Sequence, residues 1–142
     1  MHKVYEEWPN IARTFFDKKF EKIKISNINH IVFVGMGGSG ALGDIFSSIL
    51  SKTNMHIRVV KGYNLPKTVN ENTLVVAISI SGNTNETNTV LEKASKLNCK
   101  LIAFSSGGKM EKICKDNNIE FRKIKKFHSP RASFPSFLFS IL

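Results

Sequence analysis

Two short stretches of this chain are built from the residue types that hold phosphate: Gly35-Met36-Gly37-Gly38-Ser39-Gly40 and Ser79-Ile80-Ser81-Gly82-Asn83-Thr84. Glycine lacks a Cβ, so the backbone can approach a ligand closely. The hydroxyls of Ser39, Ser79, Ser81 and Thr84 add donors without bulk. Where such a loop opens a helix, unpaired N–H groups and a partial positive charge favour an anion. The ligand group is expected to be a terminal phosphate. Its candidate contacts are Gly37, Gly38, Ser39, Ser79, Ser81, Gly82 and Thr84. Neither stretch contains Lys or Arg, so amides and hydroxyls would do the holding.

Blander readings stand beside this one. The first stretch satisfies G-x-G-x-x-G, which alone is a weak signal. A dinucleotide site wants a carboxylate after the second strand, and Lys61-Gly62-Tyr63 stands there instead. The stretch also suits a purely structural tight turn. In the second stretch, Ser81 or Thr84 can serve as a helix cap. One hydroxyl suffices for a cap, and this stretch carries more than one, with a glycine.

The elements that must position these residues are legible from periodicity. His30 to Val34 is a short, β-branched apolar run suited to a strand buried on both faces, and His56 to Val60, Leu74 to Ile78, Lys100 to Phe104 and Ile119 to Ile124 also read as strands. Between them, Ala41 to Leu50, Val90 to Leu97 and a short segment around Met110, Ile113 and Cys114 follow helical spacing. This regular alternation of strands and helices, broken only by a turn around Gly62 and Pro66 between the second and third strands, implies an α/β fold with a parallel sheet, right-handed crossovers and helices on both faces. In a sheet of order 2-1-3-4-5, ligands bind beyond strands 1 and 3, where the strand order reverses. Those are the two strands that the glycine- and hydroxyl-rich stretches follow. Ahead of strand 1, Tyr5, Trp8, Ala12, Phe15, Phe16, Phe20 and Ile23 mark one helix, expected on the outside of the domain. Three segments are expected within one domain spanning 1–142: a helical segment (1–28), an α/β core (29–127) and an apolar tail (128–142). The tail carries Phe134, Phe137, Leu138, Phe139, Ile141 and Leu142. Such a surface does not belong in water, and is expected to cover a partner rather than the chain's own sheet.

The 142 residues fit one domain, and 42% hydrophobic content excludes disorder. No run is long enough for a membrane helix and no signal peptide is visible. Cys99 and Cys114 stand apart from each other and from His at metal spacing. They read as reduced, core-packed thiols, so a cytoplasmic location without metal or cofactor is expected. His2, His30 and His56 show no ligand spacing either. The charge of +10 is concentrated in Lys18 to Lys24 and Lys109 to Arg131. It therefore acts as a long-range field rather than as the phosphate site. A nucleic-acid partner is not expected, because neither a helix-turn-helix nor an RNA motif is present.

Val34 to Gly40, Ile78 to Thr84 and Ser105-Ser106-Gly107-Gly108-Lys109, followed by Pro130-Arg131-Ala132-Ser133, resemble the sugar isomerase (SIS) domains in order and spacing. The likeness is greatest to the bifunctional phosphoglucose/phosphomannose isomerases and runs from about Ile31 to Ser133. The resemblance implies a flavodoxin-like five-stranded sheet and a phosphosugar site. In it Ser79, Ser81 and Thr84 hold the phosphate, Gly38 and Ser39 line the facing loop, and Arg131 is the catalytic residue near the reacting carbons. The implied reaction is aldose–ketose exchange through a cis-enediol, with Arg131 beside the enediolate oxygens.

Family members run about twice as long, and the resemblance places the base glutamate and a ring-opening histidine in the second half. This chain stops before them. Local substitutes are Glu86, more naturally a helix-dipole partner, and His128, more naturally a solvated surface group. The expected partner is a sugar phosphate, with a homodimer or a missing second half. The competing class is a non-catalytic phosphosugar-binding or regulatory module. A flavin carrier is disfavoured: Ser-Gly-Asn-Thr-Asn-Glu resembles a flavodoxin phosphate loop, but there the loop follows the first strand and here the third.

Overall fold

The computed structural model describes residues 2–18, 21, 23 and 25–142. The strands are β1 (His30–Val34), β2 (His56–Val60), β3 (Thr73–Ser79), β4 (Lys100–Ser105) and β5 (Glu120–Lys123). All neighbouring pairs are parallel, and the order is β2-β1-β3-β4-β5. This is the expected α/β sheet, with its reversal between β1 and β3.

Strand pleating sends alternate residues to opposite faces. Phe33, Val76, Ile78, Ile102 and Phe104 share one core with Leu42 and Phe46 of α3 (Gly37–Leu50). On the other face, Val32, Val34 and Val75 pack with Val90 and Ala94 of α4 (Asn85–Ala94). Ala77 and Ala103 pack there with Leu91 of α4 and with Met110 and Cys114 of α5 (Gly108–Asp116). Helices on both faces explain why the central strands β1 and β3 read as continuous apolar runs.

The first core also takes Ile11 and Phe15 of α2 (Trp8–Phe16) and Phe137 of α6 (Pro130–Ile141). This corrects the expectation for the tail. It is a helix folded onto its own sheet, and Phe137 is 0% exposed. Ser129 caps it by accepting from the Ala132 N–H at 3.2 Å, and Pro130 fits its first turn, where a missing N–H costs nothing. Leu142 at the very end is 67% exposed.

The single N-terminal helix is also corrected. The chain forms α1 (His2–Glu6), a break at Glu7, and α2. Pro9 lacks the N–H that would bond back into α1, so one continuous helix is disfavoured. Asp17 closes α2 by donating its N–H to the Arg13 carbonyl. Ile23 lies beyond it, partly exposed and not helical, while Phe20 falls outside the described residues. Nor is α2 merely an outer layer, since Ile11 and Phe15 are buried.

Candidate functional site

The first glycine-rich stretch is only half loop. Gly35 and Met36 leave β1, and α3 begins at Gly37, so Ser39 and Gly40 lie in its first turn. A Cβ on Gly35 would stand 2.8 Å from the Ser39 carbonyl carbon, which is why the turn is so tight. Gly37 and Gly38 face solvent at the tip. Ser39 is buried, and its hydroxyl accepts from the Ile80 N–H at 3.4 Å. One hydrogen bond therefore joins the loops after β1 and β3.

The second stretch turns sharply into α4, with Thr84 as the residue preceding its first turn. Ser79 is buried, and its hydroxyl faces the turn. It accepts from the Gly82 N–H at 3.0 Å and pairs with the Thr84 hydroxyl at 2.9 Å. Ser79 thus spends its hydrogen bonds inside the loop, whereas Ser81 and Thr84 are half-exposed. The Ser81 hydroxyl accepts from the Asn83 N–H at 3.2 Å. Thr84 makes no side-chain cap, which leaves the opening of α4 with the donors of an uncapped helix. The helix-cap reading of this hydroxyl is therefore not what the structure adopts.

A third loop, Ser105 to Gly107, supports the second. Ser106 donates its hydroxyl to the Ile80 carbonyl at 2.7 Å, and the Met110 N–H donates to the Gly82 carbonyl at 2.9 Å. The Lys109 N–H donates to Asn83 Oδ1 at 3.0 Å, and Asn88 Nδ2 donates to the Gly82 carbonyl at 3.1 Å. Sequence reasoning missed these supporting roles of Asn83, Asn88 and Ser106. The small-residue run at 105–108 was the available signal, but no spacing rule pairs it with Gly82.

Arg131 lies in the first turn of α6, exposed and without an ion-pair partner among the described residues. A cation at a helix N-terminus opposes the dipole, so its position is not one that local helix energetics favours. It lines a cavity of about 630 Å³ together with Gly38, His128, Tyr5, Trp8 and Phe134. Gly38 thus belongs both to the phosphate-type loop and to the cavity that Arg131 enters. The aromatic wall was not anticipated. Trp8 stacks on Phe134 with centroids 6.3 Å apart and meets Tyr5 edge-on at 5.1 Å. These residues line the cavity because α2 packs against α6. Among the described residues, none that lines this cavity is a carboxylate, and Glu86 lies in the first turn of α4.

Lys61 at the end of β2 pairs with Asp44 of α3 at 2.6 Å. Among the described residues, no group of three or more His, Cys, Asp or Glu is placed to hold a metal ion, and no helix is long and apolar enough to cross a membrane. Cys114 is buried, and burial pushes its thiol up to about 11; Cys99 is shifted the same way. Both pack as small apolar groups.

Comparison with known proteins bears out the resemblance read from the sequence. The SIS domain family model matches residues 24–141. A bifunctional phosphoglucose/phosphomannose isomerase of Aquifex aeolicus is 36% identical over 138 residues, covering 96% of this chain and 40% of its own. One from Thermoplasma volcanium is 41% identical over 98 residues, covering 69% and 31%. Among solved structures, the C-terminal domain of glucosamine-fructose-6-phosphate aminotransferase from Francisella tularensis superposes with a TM-score of 0.67. It is 19% identical and covers 97% of this chain and 44% of that one. The chain therefore spans less than half the length of these curated relatives.

Proposed function

Because the chain belongs to the SIS domain family, we propose that the loops after β1 and β3 form a binding site for a sugar phosphate. The observation that carries this reading is the bond between Ser39 and Ile80, which brings both loops to the sheet's reversal point. The phosphate rests on the exposed Gly37–Gly38 tip and on the opening of α4, with Ser39, Ser81, Gly82 and Thr84 around it. Ser79 serves from beneath by holding Gly82 and Thr84 in place. The relatives' names share hexose phosphates, which makes glucose, mannose and fructose 6-phosphates the ligands of first choice.

Arg131, which lines one cavity with Gly38, is assigned to stabilising oxyanions that develop on the sugar. Aldose–ketose exchange also needs a base that removes a proton at C2 and returns it at C1. The base comes from outside the cavity walls, from a second SIS-type half or an identical chain, in a cytoplasmic assembly. A non-catalytic phosphosugar-binding module is the second reading, supported by the lack of a carboxylate among the described residues that line the cavity.

Titration calorimetry with glucose 6-phosphate, mannose 6-phosphate and fructose 6-phosphate, paired with a coupled isomerase assay, decides between them. Binding with turnover supports the isomerase reading. Binding without turnover supports the module. No binding to any of them removes the phosphosugar assignment.

A further inference from the structure

The Ile80 peptide is gripped from two sides. Its N–H donates to Ser39 on the first loop, and its carbonyl accepts from both the hydroxyl and the N–H of Ser106 on the third, at 2.7 and 3.3 Å. A second grip lies a few residues on. The Lys109 N–H donates to Asn83 Oδ1 at 3.0 Å, and the Met110 N–H donates to the Gly82 carbonyl at 2.9 Å.

These contacts change what the start of α5 can do. A helix N-terminus ordinarily offers unpaired N–H groups to an anion. At α5, two of those donors are already spent on the neighbouring loop. The third loop therefore braces the second. It is needed because Gly82, Gly107 and Gly108 all adopt positive φ, and glycine-rich backbone has much freedom to lose on ordering. A brace made before the ligand arrives removes that cost from binding.

We infer that Ser106 and Asn83 are positioning residues that fix the Ile80–Ser81 peptide and the Gly82–Thr84 turn, and so set phosphate affinity without touching phosphate. This rests on the sugar-phosphate reading above.

The test is the affinity of the full chain for glucose 6-phosphate and, by competition, for inorganic phosphate, with thermal midpoints recorded alongside. Ser106→Ala and Asn83→Ala should each weaken both ligands by the same factor, roughly three- to tenfold for one lost hydrogen bond. Ser106→Thr keeps the hydroxyl and should restore affinity. Equal loss for both ligands is the signature of a displaced cradle. Loss confined to the sugar phosphate, or unchanged affinity in folded variants, overturns the inference. If Ser106→Ala does not fold, the exposed Asn83→Ala carries the same test. A native chain that binds neither ligand defeats the sugar-phosphate reading itself. A native chain that binds, with variants that bind equally well, defeats only the brace.

Discussion

Gly82 and Gly107 meet backbone to backbone: a Cβ on Gly82 would stand 1.8 Å from the Gly107 carbonyl oxygen. Gly82 also holds φ at +72°, a conformation costly for any other residue. Gly82→Ala must therefore push two loops apart and strain one of them. The expected destabilisation is on the order of 3 kcal/mol, read from urea unfolding. An unchanged midpoint would show that the loops separate freely.

Gly38 behaves in the opposite way. It is exposed, its φ is not positive, and a Cβ there would meet nothing within 4 Å. In the first turn of α3, Gly38→Ala should leave stability unchanged or raise it by about 0.5–1 kcal/mol. If the sugar phosphate rests on this tip, the added methyl will weaken its binding. Calorimetry showing full affinity in Gly38→Ala would move the ligand away from Gly38.

Ser81 and Thr84 keep half-exposed hydroxyls at the opening of α4. Ser81→Ala and Thr84→Ala are each expected to weaken hexose 6-phosphate binding by about 1–3 kcal/mol, the usual cost of a hydrogen bond to a charged group. Ser79 keeps its bond from the Gly82 N–H in Thr84→Ala, so the loop should survive. Affinities equal to that of the native chain would remove these hydroxyls from the site.

His30 lies at the opposite end of β1 from the candidate site, 4% exposed, with Nδ1 3.1 Å from the Thr73 hydroxyl and its ring 4.8 Å from that of His56. Burial, then His56 and Arg58, hold its pKa below the ordinary 6.5, against a smaller opposing effect of the Thr68 backbone. The unfolded chain therefore takes up a proton near 6.5 that the folded chain resists. Its contribution to stability is present above 6.5 and is lost as pH falls towards the lower folded value. Urea midpoints should decline from about pH 7.5 to about pH 5, less steeply in His30→Gln. Identical slopes for the two proteins would exclude His30 as a source.

Among the described residues Phe137 is the largest fully buried side chain, and it ties α6 to the sheet. Phe137→Ala should cost about 3–5 kcal/mol. A loss below about 1 kcal/mol, typical of a surface position, would mean that α6 docks only loosely.

Much of the fold is legible in the sequence. Alternating apolar runs and helical spacing were enough for a parallel sheet, because central strands covered on both faces, such as His30–Val34, are apolar along their length; the order 2-1-3-4-5 came with the family resemblance. The positions of the two phosphate-type loops followed, since topology places ligands where the strand order reverses. Periodicity was less informative where local and distant partners compete. The apolar tail has the same composition whether it covers another chain or its own sheet; packing of Phe137 with Phe33 and Leu42 decides for its own. Trp8 and Arg131 are far apart in sequence, and they line one cavity because α2 and α6 pack together. The same holds for Ser39, Ile80 and Ser106. Each lies in a recognisable loop, but a hydrogen bond between loops depends on how three strands are set side by side, and no spacing along the chain encodes that geometry.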